Sequence, residues 1–279
     1  MTTANQPESG FLETNGAKLY YEVTGEGHPV VLMHAGVADH TMWEGQMDAF
    51  SRKYRVIRYD TRCFGKSKTE DVEYSDRQDL YDLLKHLGVE KAHLIGVSRS
   101  GQIATDFTLE HPEMVSALVP VAAGLSGFGG QPNEAEMALF EEGEAAEEAH
   151  DWAKVAALDV RIWGDGPEQP EGRFPKPLRE KMWQMCYNTY STHTVDRPSV
   201  PLEPRAAGRL SEIKVPTLII YSDFDVSPVA EAAAAMEAGI EGAKRVLISG
   251  TAHMIPMEKP EEFNNIVLDF LEQVDRSLK

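Results

Sequence analysis

Apolar residues fall into two rhythms along the chain, runs of four to eight and stripes spaced by three and four. Phe11 to Thr14 and Lys18 to Thr24 flank Asn15-Gly16, a pair suited to the positive φ angles of a tight turn, and predict a β-hairpin. Pro29 to Met33 is continuously apolar, as expected of a strand covered on both faces, and Arg55 to Tyr59 is a second strand ending at Asp60. Ser75 to Leu87 predicts a helix with Leu80, Leu83, Leu84 and Leu87 on one stripe. Ser75 and Gln78 form a capping-box pattern at its start, and Gly88 ends it. His93 to Ile95 is a strand, Gln102 to His111 a helix stopped by Pro112, and Val115 to Ala122 another strand. Strand signals return at Pro216 to Tyr221 and Arg245 to Ile248, around an Ala-rich helix. The last helix spans Glu261 to Val274, with Phe263, Val267, Phe270 and Val274 on one face.

Strands alternating with helices predict an α/β fold, a mostly parallel sheet flanked by helices. Between Gly124 and Leu210 the alternation stops, and acidic, Ala-rich helical patterns and Pro-rich stretches take over. This segment is expected to be an inserted helical cap. Residues 1–123 and 211–279 are expected to form the core, with 124–210 as the insertion.

Charge narrows the partners. The 279 residues carry 27 Lys+Arg against 45 Asp+Glu, a net charge of −18, with a pI near 4.9. A surface of that sign disfavours nucleic acid and anionic membranes, which need a basic footprint. No apolar run reaches the ~20 residues of a membrane helix. Met1 to Gly10 is polar, unlike a secretory signal, and is expected to form a loose tail. Two cysteines, Cys63 and Cys186, are too few for a disulfide framework and lack metal-ligand spacing. The expectation is a cytoplasmic protein without a metal or cofactor. Gly127-Phe128-Gly129 follows a strand but lacks the third glycine and the helix of a dinucleotide site.

The sharpest chemical feature is Gly96-Val97-Ser98-Arg99-Ser100-Gly101, between a strand and a helix. A serine on so tight a turn lifts its hydroxyl above the carboxyl edge of the sheet, and its neighbours at −2 and +2 must be small. The Arg99 amide, at the helix N-terminus, can point at an oxyanion. Ser100 stands where G-x-S-x-G has its last glycine, which makes it a rival nucleophile; a Ser/Gly-rich N-cap is the plain alternative. Further along, Ser222-Asp223-Phe224-Asp225 follows one strand and Ser249-Gly250-Thr251-Ala252-His253 follows the next. A carboxylate just past a strand end can receive the Nδ1–H of a histidine. Either aspartate could instead cap the next helix. The order Ser98, Asp225, His253 is nevertheless the Ser…Asp…His order of α/β-hydrolases.

The whole chain resembles the α/β-hydrolase superfamily, in particular its small cytoplasmic serine esterases and enol-lactonases. Residues 31–36, 59–67, 96–101, 222–226 and 250–254 carry the likeness. The resemblance implies Ser98 as nucleophile, His253 as general base and Asp225 as its orienter. It implies a second oxyanion donor from the backbone at Gly36 or Val37, beside the Arg99 amide. Ala35 replaces a usual glycine there, and Cys63 replaces another, where packing near the pocket is expected. The Arg99 side chain is expected to pair with a carboxylate at the pocket wall.

The implied reaction is cleavage of a small carboxylic ester or lactone through an acyl-enzyme. Acyl transfer, perhydrolysis or aminopeptidase chemistry on the same triad are the enzymatic alternatives. A ligand receptor on a hydrolase fold is the non-enzymatic one. Oligomeric state, acyl group and alcohol are not specified by these patterns.

Overall fold

The computed structural model describes residues 7–193 and 198–277. The predicted hairpin is β1 (Glu8–Thr14) and β2 (Ala17–Thr24), paired antiparallel around Asn15 and Gly16, whose φ angles are 35° and 71°. Glu8 to Gly10 already pair in β1, so the tail expected to reach Gly10 is shorter; residues 1–6 lie outside the described residues. The chain continues through β3 (His28–Met33), α1 (Glu44–Ser51), β4 (Tyr54–Tyr59), β5 (Lys68–Thr69), α2 (Asp76–His86), β6 (Ala92–Val97), α3 (Arg99–Glu110) and β7 (Val115–Val121). Then come three helices, α4 (Glu134–Glu148), α5 (Trp152–Asp159) and α6 (Lys176–Thr192), with a π-helical turn at Val160–Asp165. The core resumes with β8 (Leu218–Tyr221), α7 (Ser227–Gly239), β9 (Lys244–Leu247), α8 (Ile255–Glu258) and α9 (Pro260–Ser277).

The sheet order is β1-β2-β4-β3-β6-β7-β8-β9, with β5 beside β2. The pairs from β4 to β9 are parallel, and those made by β2 are antiparallel. The unbroken apolar run of β3 is explained by its two covered faces. Val30 and Leu32 join a core with Trp43, Phe50, Phe263 and Val267; Val31 and Met33 join another with Leu80, Leu83, Leu84 and Phe107. Each such side chain, removed from water, contributes about 1.5–3 kcal/mol. The cap helices extend the first core through Val160, Met182 and Met185.

Local signals held unevenly. Ser75 Oγ accepts from the Gln78 amide at 3.4 Å, but the Gln78 side chain turns to Asp82 at 2.8 Å, so only half of the expected capping box forms. At the other end Gly88 (φ 65°) closes α2: its amide reaches Lys85 O, and that of Val89 reaches Leu84 O, satisfying two terminal carbonyls. In α9 the buried face is Phe263, Val267, Leu271 and Val274, while Phe270 is half-buried. Helix α3 starts at Arg99, three residues before its expected start, because the Ser98 turn feeds it directly. The 3-10 turn His40–Trp43, α1 and α8 had no counterpart in the apolar pattern.

One buried group ties stability to pH. His93 in β6 is wholly buried, its ring 4.4 Å from that of His28, and its Nε2 is 3.0 Å from Asp275 on α9. Burial, helped by His28 and resisted by Asp275, pushes its pKa down to about 4 from about 6.5. The unfolded chain therefore takes up a proton that the fold refuses. The contribution is complete above about pH 6.5, is lost as pH falls toward 4, and totals about 3 kcal/mol. Chemical denaturation across this range should show a slope for the wild type steeper than that of His93→Gln by about 1.4 kcal/mol per pH unit. Equal slopes would assign the acid sensitivity to other groups.

Candidate active site

The carboxyl ends of β6, β8 and β9 bring the three singled-out segments to one edge. Ser98 lies between β6 and α3 with φ 58° and ψ −122°, a backbone region that costs an L-residue about 1–3 kcal/mol. Three backbone bonds hold it there: its amide to Val121 O at 2.8 Å, and its carbonyl from the amides of Gly101 and Gln102 at 3.0 and 3.1 Å. A Cβ on Gly96 would lie 2.3 Å from Ser100 O, so only glycine fits beneath the turn. Gly101 performs the same service toward Ala123, where a Cβ would come within 2.5 Å. The Ser98 side chain makes no cap bond to the helix, which removes the plain N-cap explanation.

Ser100 is fully buried, and its hydroxyl donates to His34 O at 2.5 Å. The departure from G-x-S-x-G thus ties the serine turn to the strand β3 loop, and a sealed, committed hydroxyl is no rival nucleophile. In that loop Ala38 N donates to Ala35 O at 3.1 Å. The turn bond engages neither the Gly36 nor the Val37 amide. Gly36 lies against the first turn of α3, where a Cβ would sit 3.7 Å from Arg99 Cβ. The Arg99 amide, first in its helix, has no intrahelical acceptor. Buried His34 fixes the loop: Thr61 N–H donates to Nε2 at 3.0 Å, leaving Nδ1–H for Ala35 O at 2.7 Å. Burial lowers its pKa, in keeping with Nε2 acting as an acceptor.

His253 Nδ1 lies 2.7 Å from Asp225 Oδ2, and the two side chains are 3% and 1% exposed. Asp225 also accepts from the Val226 amide at 2.8 Å. Asp223 makes a different set of bonds: it accepts from Ser249 Oγ at 2.6 Å and Gly250 N at 2.7 Å. Those bonds, against a desolvation penalty, hold its carboxyl below the usual range. It fastens the loop that carries His253. Asp225 and His253 are therefore brought together; among the described residues no direct hydrogen bond joins Ser98 Oγ to His253. Catalytic bonds of this kind commonly tighten only around bound substrate.

Arg99 points its guanidinium at Asp76, with Nη2 at 2.8 Å from both carboxylate oxygens, and lies 5.5 Å over the Phe64 ring. The expected carboxylate partner therefore comes from the first turn of α2, which the motifs did not single out. The cap was expected, but its contacts with the site were not. Trp163, in the π-helical turn, packs its ring 4.5 Å from His253 and accepts the His253 amide at 3.2 Å. Cys186 of α6 donates its thiol to Val37 O at 3.2 Å. Cys63 has a φ of 64° and is half-buried beside Gly65.

One group of possible metal ligands occurs among the described residues: Asp39, His40 and Asp60, with donor atoms within 4.8 Å of one another. Asp60 accepts from His40 N and Lys66 N, and Asp39 accepts from Thr41 N. Burial opposes the Asp60 charge, but the His40 hydrogen bond, the neighbouring His34 and His40 rings and the Lys66 amide hold the carboxyl below its ordinary range. The donor set is occupied as a loop clasp.

This arrangement of strand, serine turn and histidine loop is that of the α/β hydrolases, and the family's model, alpha/beta hydrolase fold, matches residues 28–260. The chain belongs to this family. A 2-hydroxy-6-oxo-6-phenylhexa-2,4-dienoate hydrolase of Comamonas testosteroni is 27% identical over 276 residues, covering 91% of each chain. A thermophilic esterase from Thermogutta terrifontis is similar in structure, with TM-score 0.75 and 25% identity over 96% of this chain and 99% of that one. The enol-lactonase from Burkholderia xenovorans shares the fold, with TM-score 0.75 at 20% identity over 94% and 99%. Among the described residues no helix is long and apolar enough to cross a membrane.

Proposed function

We propose that the protein hydrolyses a small carboxylic ester or lactone through an acyl-enzyme, with Ser98 as nucleophile, His253 as base and Asp225 as its orienter. The observation that carries this reading is the 2.7 Å His253–Asp225 pair, beside a serine held at positive φ. With Nδ1–H given to Asp225, the Nε2 lone pair of His253 is the one left to take the Ser98 proton. Ser98 Oγ then bonds to the substrate carbonyl carbon, and the amides of Arg99 and of Gly36 or Val37 receive the oxyanion. His253 returns the proton to the leaving alkoxide, and the C–O bond breaks. Water, deprotonated by His253, attacks the acyl group and frees Ser98 and the acid. In a lactone, alcohol and acid leave as one molecule. The enol-lactonase and esterase named above are consistent with this substrate class.

Residues 124–210 serve here as the wall of the pocket, on the strength of the Trp163 and Cys186 contacts. The proposed location is cytoplasmic, with which two free cysteines are compatible.

A fluorophosphonate probe should label the protein at one site, and peptide mass mapping should place the adduct on Ser98. p-Nitrophenyl esters from acetate to decanoate, with simple lactones, should then define the acyl length. An unlabelled protein, or an adduct on another serine, would reject the reading.

A further inference from the structure

Several charged side chains around the cap and the serine turn are neutralised by a partner of opposite sign. Arg99 has Asp76, Asp165 has Arg179, and Glu258 has Arg173. Asp159, at the end of α5, is different. Its Oδ2 accepts the Tyr190 hydroxyl at 2.9 Å, and Trp163 and Cys186 adjoin it. Among the described residues it makes no ion pair, and Glu147, exposed on α4, adds a charge of the same sign. Ala156, Val160 and Met182, from the same stretch of the cap, belong to the apolar core.

Its position follows from its neighbours. Trp163 packs on the His253 ring, and Cys186 reaches the carbonyl of Val37. One contact lies on the base side of the reacting centre and the other on the oxyanion side. Asp159 lies four residues before Trp163 and is bonded to Tyr190, one turn after Cys186 on α6, so its carboxyl belongs to the part of the cap that carries both contacts. Asp159 and Tyr190 are half-buried, not sealed. Burial raises the Asp159 pKa to about 6, tempered by the Tyr190 hydrogen bond, so that the group is largely ionised at pH 8. An unpaired carboxylate in such surroundings carries a desolvation penalty that a suitable ligand relieves.

We propose that Asp159 sets the charge preference of the site, disfavouring substrates with a negative group beneath the cap and favouring neutral or cationic ones. The proposal rests on the Ser98–His253 reading for the location of the pocket. A full negative charge within several ångströms, in partly desolvated surroundings, shifts the relative preference for an anionic substrate by about tenfold or more.

The test uses three p-nitrophenyl esters of one acyl length: hexanoate, the monoester of adipic acid, and 6-(trimethylammonio)hexanoate. At pH 8 the wild type should favour the hexanoate and the ammonium ester over the adipate in kcat/KM. Asp159→Asn should cut the hexanoate-to-adipate ratio by about tenfold. The variant controls for the net charge of −18, which it barely changes. Equal ratios in folded wild type and Asp159→Asn overturn the proposal. Should the variant not fold, a wild type that takes the adipate as well as the hexanoate overturns it alone. Titration of Ser98→Ala with the same esters, read by tryptophan fluorescence, orders their Kd values without turnover. A failed triad reading would appear as turnover retained in Ser98→Ala or absent in the wild type. A failed Asp159 assignment would appear as equal Kd values for the three esters.

Discussion

Ser98→Ala should lower kcat on any ester substrate by about 10³-fold or more, since it removes the covalent route while leaving the oxyanion donors in place. The fold should survive. The turn is held by the Ser98 amide and carbonyl, not by its hydroxyl, which makes no cap bond to α3. Ser98→Gly separates chemistry from strain further: it should be equally inactive but more stable by roughly 1 kcal/mol, because glycine accepts φ near 58° without penalty. Ser100→Ala is the control. It loses the buried bond to His34 O, at a cost of about 1–2 kcal/mol, and should keep kcat within tenfold. Steady-state kinetics with thermal unfolding reads all three. A dead Ser100→Ala beside an active Ser98→Ala would move the nucleophile two residues along.

How far the site could be read in the sequence depended on whether its parts are local. Gly96, Ser98 and Gly101 were legible because steric demands within six residues dictate their size: a Cβ at Gly96 meets Ser100, four positions on. The sheet was legible because β3, β6 and β7 are buried on both faces and read as apolar runs. The Arg99–Asp76 pair was not, because its partners are 23 residues apart and meet only when α2 and α3 pack. Nor were the contacts of Trp163 and Cys186. A π-helical turn has no sequence period of its own, and the cap's helices are short or weakly patterned. The shift from Phe270 to Leu271 on α9 has a simpler origin: they lie three and four residues after Val267, both fit a helical stripe, and only tertiary packing chooses between them.

Asp225→Asn should reduce kcat steeply, on the order of 10⁴ by the serine-protease precedent, while Asp223→Asn should reduce it less than about tenfold. The two carboxylates are two residues apart and share a loop, so general perturbation of the loop affects both. Their bonds differ. Asp225 takes the His253 Nδ1–H at 2.7 Å with both side chains almost wholly buried. An asparagine there offers an N–H to Nδ1 and turns the lone pair of the imidazole away from Ser98, so the base is present in the wrong tautomer. Asp223 instead receives the Ser249 hydroxyl and the Gly250 amide, and one oxygen of an asparagine can still accept one of them. Its loss should appear as roughly 1 kcal/mol of stability, read by denaturation. The pH dependence of kcat separates the two effects further. Raising pH restores part of the Asp225→Asn rate as hydroxide takes over from the missing base, whereas Asp223→Asn keeps the wild-type profile. A reversed ranking in folded proteins would transfer the orienting role to Asp223, and equally mild effects would place the carboxylate elsewhere.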